Sequence, residues 1–340
     1  MPRIITDSNN FQKSTKLKFI DQFRPDDVFY MPCPIDTDLL LGYLDKYGRP
    51  AYIVGDQAGN IVLDDVKIYT VPFRGLDMEM EKFNHLQLQD QINTAYCFNF
   101  FINNKQISRH LLIKLVEHFE FDSFDYILGN DQPNFDMQPI IDELAGATDI
   151  NLDADFKTKI LSPIKLLPKH DHNNIGEWTS QVSQMFNQTA VSLVSEINGH
   201  QLASVFSDKT LYAIMGLTFP IYIGGHGHAD YLKQIGFDTF DDIIDHSYQF
   251  KTTLIERCYY AFKNNLRLLS DTDYAVAVRQ QHLPRLLANR DLLYSGVLTK
   301  HTEKVLDSWP DPLSSVIRPY WQYIRNTPIG KVFRSHAYFD

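Results

Sequence analysis

Cysteine is nearly missing from this chain: Cys33, Cys97 and Cys258 are the only three in 340 residues. They are too few and too scattered for a disulfide framework or a cysteine-built zinc site, so reduced thiols are expected. Long apolar runs are missing too. No stretch has the length of a membrane-spanning helix, and Met1-Pro2-Arg3 does not open onto the apolar core of a secretory signal. The expectation is a cytoplasmic protein with no membrane span. Positive charge is in deficit, with 32 Lys and Arg against 42 Asp and Glu, a formal net charge of −10. That argues against a nonspecific polyanion binder while leaving room for a local basic face. No internal repeat or low-complexity tract stands out.

What remains is an ordinary globular composition, 44% hydrophobic and 22% charged. A chain of 340 residues exceeds a single core, so two domains are expected. Short strands are predicted over residues 3–6, 27–31 and 51–54, with a helix over 36–47 and alternating edge strands over 61–72. A polar helix is predicted over 78–91, a strand over 96–102, a helix over 108–119 and a strand over 126–128. Several of these strands run into polar turns that carry an aspartate, namely Asp7, Asp56 and Asp131. Strands of a doubly wound parallel sheet end in this way. The proline-bearing stretch 161–174, with Lys169-His-Asp-His172, reads as a linker, and the chain after Phe250 reads as helical.

The most informative segment is Thr189–Tyr248. Ala190–Glu196 is apolar and β-branched, as a buried strand should be. A polar loop follows, then Asp208-Lys209-Thr210 opens a helix with apolar positions Leu211, Ile214, Met215 and Leu217. Pro220–Ile223 is the next strand, and it runs into Gly224-Gly225-His226-Gly227-His228 and a further helix. This order places two loops at one edge of a parallel sheet, where ligands bind in open α/β folds. Asp208 can cap its helix or take two ribose hydroxyls, and Lys209 can pair with a diphosphate or stay in solvent. Gly224, Gly225 and Gly227 permit backbone amides to approach an anion, or simply make a tight turn.

These residues resemble the C-terminal part of a family of glycosyltransferases of large viruses, phages and bacteria, with an exostosin-like nucleotide-sugar half. The resemblance rests on Ser195-Glu196, Ser207-Asp208-Lys209-Thr210, Phe219-Pro220 to Gly224, Leu232 to Phe240, and Ser247-Tyr248. Asp208 stands where the family has glutamate, and Ser207 where it has threonine. A softer match runs from Tyr96 to Leu112, where Asn103, Lys105 and Arg109 correspond to a basic turn facing the donor diphosphate. A third, at Leu287–Leu292, includes Asn289.

The resemblance implies an α/β, GT-B-like fold of two Rossmann-like lobes with a cleft between them. It places an acceptor-side lobe in residues 1–175 and a donor lobe in 176–340, with the terminal helices returning to the first lobe. It implies transfer of a sugar from a nucleotide-diphosphate donor, a UDP-sugar first, with no tightly bound cofactor. Donor contacts would come from Asn103, Arg109, Ser207, Asp208, Lys209, Thr210, Gly224, Gly225, His226 and Gly227. Candidate catalytic carboxylates are Asp7, Asp56, Asp131 and Glu196. The acceptor would be a glycan or protein hydroxyl, or a hydroxymethylated base of viral DNA. For DNA, Lys13–Lys18 and Arg318–Arg334 with Tyr320, Trp321 and Tyr323 would supply charge and stacking. A viral enzyme of this kind would work in the host cytoplasm. His226, His228 and the Lys169–His172 cluster lack a matching third ligand, so no metal is expected. The alternative is a catalytically silent member that binds nucleotide or scaffolds a partner.

Overall fold

A computed structural model describes residues 4–6, 22–31, 37–55, 62–63, 66–72, 88, 96–100, 107–121, 123–124, 138, 141–143, 156, 160, 175–196 and 206–326. The chain divides into two units. The first takes Met1–Glu81, Ala203–Phe206 and Gly296–Asp340; the second takes Lys82–Leu202 and Ser207–Ser295. The division expected near residue 175 therefore falls inside the second unit. Of the helix expected over 78–91 only Leu88 is described, outside any helix or strand. The strand expected over 126–128, the linker over 161–174 and the Lys13–Lys18 stretch lie outside the described residues.

In the first unit, β1 (Ile4–Thr6), β2 (Val28–Met31), β3 (Tyr52–Gly55) and β5 (Val66–Thr70) run parallel, and β4 (Val62–Leu63) closes the edge antiparallel to β5. β2 alternates its burial between two layers, as period-2 geometry requires. Phe29 meets Phe23 and Tyr43 at ring distances of 5.1 and 5.9 Å, with Tyr43 on α1 (Thr37–Tyr47). Val28 and Tyr30 share a core with Val54, Leu306, Trp309, Leu313, Ile317 and Trp321. These last residues come from α10 (Val297–Asp307), α11 (Asp311–Asn326) and the link between them, so the terminal helices do complete the N-terminal sheet. Trp321 is a core residue, and Arg318 donates to Asp307 at 2.6 Å. Trp321 is therefore not presented for stacking on a base, while Arg318 stays part-exposed beside Asp307.

Among the described residues, the second unit holds a four-stranded parallel sheet in the order β7 (Ser123–Phe124), β6 (Tyr96–Phe100), β8 (Thr189–Ser195) and β9 (Phe219–Ile223). β6 pairs with β8 through Phe98–Val191 and Phe100–Leu193, which is why residues on both sides of 175 belong to one sheet. All seven residues of β8 are buried, the mark of a central parallel strand. Pro220 is accommodated because β9 is an edge strand, where a missing N–H goes unnoticed.

α2 (Ile107–His118) follows β6, and α3 (Ile175–Asn187) precedes β8. α4 (Asp208–Met215) joins β8 to β9, and α5 (His228–Gln234) leaves β9. A 3₁₀ turn (Ser247–Phe250) and helices α6 (Leu254–Asn264), α7 (Leu266–Ser270), α8 (Thr272–Gln281) and α9 (Leu283–Tyr294) complete the unit. Phe98, Val191, Ile221, Ile255 and Phe262 lie in one apolar cluster. Each such side chain contributes about 1.5–3 kcal/mol by leaving water.

The chain is thus a mixed α/β protein on parallel sheets, compatible with Rossmann-like units. No helix among the described residues is long and apolar enough to cross a membrane.

Candidate functional site at the head of the second sheet

Three strand ends meet here because β6, β8 and β9 are parallel neighbours. Their C-terminal ends deliver α2, α4 and the glycine turn to one edge, the geometry expected of a ligand site.

Glu196 immediately follows β8 and is wholly buried. Its Oε2 accepts from the Ser207 amide at 3.0 Å, and its Oε1 accepts a short hydrogen bond from Thr210 Oγ1. The carboxylate therefore lies across the start of α4, where amide donors favour negative charge. Burial still pushes its pKa up, against the pull of Ser207, Thr210 and Lys209. Glu196, a candidate catalytic carboxylate of the sequence, joins β8 to α4 through these two bonds.

The single hydroxyl proton of Thr210 is committed to Glu196. His228 Nε2, 3.2 Å from the same oxygen, must then donate, which assigns the ring proton to Nε2. Burial holds His228 neutral, lowering its pKa to about 3, with His246 adding to the effect. Tyr222 tilts over His228 at 4.8 Å and stacks on His246 at 6.1 Å. Tyr248 clamps this layer by donating to the Tyr222 carbonyl at 2.9 Å.

α4 opens with Ser207 as its cap, the hydroxyl accepting from the Lys209 amide at 3.3 Å. Asp208 and Lys209 pair with each other at 3.0 Å, and Lys209 is only 6% exposed. Arg109 lies in the first turn of α2 rather than in a loop before it, and it is 1% exposed. Its Nη2 donates to the Ser195 carbonyl at 3.4 Å. Burial lowers its pKa to about 10, while the nearby carboxylates of Glu196 and Asp208 act in the opposite sense. Residues a hundred positions apart thus form one group with two cations and two carboxylates. His110, its neighbour, turns away to the Ile160 carbonyl at 2.8 Å.

The glycine turn has two different reasons for its glycines. At Gly224 an added Cβ would stand 3.4 Å from the Glu196 Cβ, so the position is crowded. Gly227 has open space but a left-handed φ of 66°, a conformation that favours glycine. Gly225 is buried between them. His226 Nε2 lies 3.1 Å from the Lys251 carbonyl and 3.3 Å from Arg257 Nη1. Arg257 itself donates to the carbonyls of Lys251 and Thr252 at 2.9 and 3.0 Å. The two imidazoles of the turn therefore serve different partners and do not converge on one ion. His228, Tyr222 and Arg257 were given no role in the sequence reading, although the Gly-His-Gly-His spacing drew attention to the first.

The softer motifs have local explanations. Asn289 donates to the Asp238 carbonyl at 2.7 Å and accepts from the Asp238 amide at 2.8 Å. It holds the Gly236–Phe240 run in place, with Gly236 at a φ of 106°. Asp230, Asp241, Asp242, Asp245, His246 and Phe250 line an open depression of 410 Å³ whose charge is opposite to that of a phosphate site. Asp7, Asp56, Asp131, Asn103 and Lys105 lie outside the described residues.

Comparison with family models, with curated proteins and with solved structures returned no match.

Proposed function

We propose that this sheet edge binds the diphosphate of a nucleotide-sugar and that the protein is a glycosyltransferase of GT-B type. The observation that carries the reading is the gathering of Arg109, Asp208 and Lys209 around buried Glu196 at the ends of parallel strands. Arg109 and Lys209 would offset negative charge growing on the departing diphosphate, the largest electrostatic need of such a transfer. Asp208 would exchange its lysine partner for the ribose hydroxyls. Glu196 is given a positioning role, since both of its oxygens are already engaged. His226, backed by Arg257, would donate at the glycine turn. A UDP-sugar is the first donor to try.

The first unit is assigned the acceptor. A glycan or protein hydroxyl is taken before DNA, because Trp321 is core and is not available to stack on a base. The test is a thermal-shift series with nucleoside diphosphates. A ligand at a hundred times its Kd raises stability by about 2.7 kcal/mol. No shift with any nucleoside diphosphate at millimolar concentration would overturn the reading.

A catalytically silent nucleotide-binding protein is the second reading, favoured by the self-paired Asp208 and Lys209 at 3.0 Å. Donor hydrolysis separates the two, because an active transferase leaks sugar to water and a silent one does not.

A further inference from the structure

Ser195 is the odd side chain of this edge. It ends β8, it is wholly buried, and its hydroxyl meets no hydrogen-bonding partner. Ser192, on the same strand, shows the usual solution: its Oγ lies 2.6 Å from Thr218 Oγ1. Buried hydroxyls are nearly always satisfied, and one that is not carries an uncompensated loss of hydration.

The position of this hydroxyl narrows what would satisfy it. Successive residues of a strand face opposite sides of the sheet, so Ser195 does not share the side on which Glu196 meets Thr210 and His228. It shares a side with Leu193 and with its direct partner Ile223, the last residue before the glycine turn. Its own carbonyl accepts from Arg109 at 3.4 Å. Arg109 stands in the first turn of α2, a twelve-residue helix with no acidic residue in that turn. One residue thus carries a buried hydroxyl without a partner and a carbonyl bound by a guanidinium from the first turn of α2, and hydroxyl, guanidinium and helix N-terminus each favour an anionic oxygen.

We propose that Ser195 is a ligand-contact residue whose hydroxyl donates to a phosphoryl oxygen of the bound diphosphate beside Arg109. This rests on the diphosphate reading above and adds to it a specific donor and the class of atom that it recognises. It also explains why the hydroxyl is tolerated without a partner: the partner arrives with the ligand.

The experiment uses the full chain, calorimetric titration with UDP and with inorganic pyrophosphate, and melting curves without ligand. Ser195→Ala should bind both probes about three- to tenfold more weakly, the loss of one hydrogen bond. Its ligand-free melting temperature should be equal to or above that of the wild type, because an unsatisfied hydroxyl has been replaced by hydrogen. Ser195→Cys, close in shape and a poor donor, should show the same loss of binding and serves if the alanine variant fails to fold. Wild-type affinity for both probes in these variants would overturn the role of Ser195 and leave the diphosphate reading intact. A wild-type protein that binds pyrophosphate but not UDP drops the nucleotide and keeps the anion contact. A wild-type protein that binds neither overturns both.

Discussion

A methyl group placed on Gly224 would stand 3.2 Å from Nδ1 of His228. The absence of a side chain at one residue is therefore what lets the imidazole of the other reach Thr210. Gly224→Ala forces His228 or Glu196 to move by a few tenths of an ångström, and both are buried. A destabilisation of about 1–3 kcal/mol is expected, as for other overpacked sites. Gly227→Ala has room for its methyl and loses only about 1–2 kcal/mol from the left-handed backbone, much of it regained in Gly227→Asn. Urea unfolding of the three variants checks this; equal losses for Ala and Asn at 227 would rule out backbone strain as the cause.

Thr210→Val keeps the shape of the side chain and removes the hydroxyl that serves both Glu196 and His228. A buried carboxylate left one donor short is costly, and a loss of about 2–3 kcal/mol is expected. Thr210→Ser keeps the hydroxyl and should stay within about 1 kcal/mol of the wild type. If valine and serine are equally tolerated, the hydroxyl does not hold the carboxylate.

The response to acid is set by opposing groups. His228 has its pKa lowered to about 3 by burial, so the folded protein resists the proton that the unfolded chain takes up below about 6.5. Its contribution to stability is present above that value and is lost as the pH falls toward 3. His246 and His110, both lowered by burial, act in the same sense. Glu196 is raised, so its effect runs the other way, favouring the folded state as acid protonates it. His228→Gln should flatten the fall in stability below pH 6.5 by up to about 1.4 kcal/mol per pH unit. Denaturant melts at several pH values measure the slope; an unchanged slope would show that His228 is not held neutral.

Lys209→Ala should impair sugar transfer far more than nucleoside diphosphate binding, by about 2.7–4 kcal/mol at the transition state. Its charge matters most when the diphosphate departs. Asp208→Ala should do the reverse, weakening donor binding with a smaller effect on turnover at saturation. Steady-state kinetics decide between these. Wild-type turnover in a folded Lys209→Ala protein would leave Arg109 as the cation of the site.

Much of the second unit was legible in the sequence because its signals are local. The apolar run of β8, the helix opening at Asp208 and the glycine turn after Ile223 each define an element without outside help, although the cap is Ser207 and not Asp208. The pairing of β6 with β8 left no local trace, and so the boundary near 175 was misplaced. The burial of Arg109 and Glu196 was equally hidden, since a charged residue at a helix start or strand end normally faces water. Trp321 was different: Leu313, Ile317 and Trp321 recur every fourth residue, the spacing of a buried helical stripe, and that signal was there to be read.

The core that joins Val28, Tyr30 and Val54 to Leu306, Trp309, Leu313 and Ile317 has a consequence for the order of events on the ribosome. The first sheet is synthesised early but cannot cover one of its faces until the last helices emerge. At ordinary elongation rates that wait is about ten to fifty seconds. Meanwhile the second unit, which begins at Lys82 and ends at Ser295, has both a start and a finish within the nascent chain. It can fold first, leaving Val28, Tyr30 and Val54 exposed to chaperones, and to other nascent chains, until translation passes Ile317.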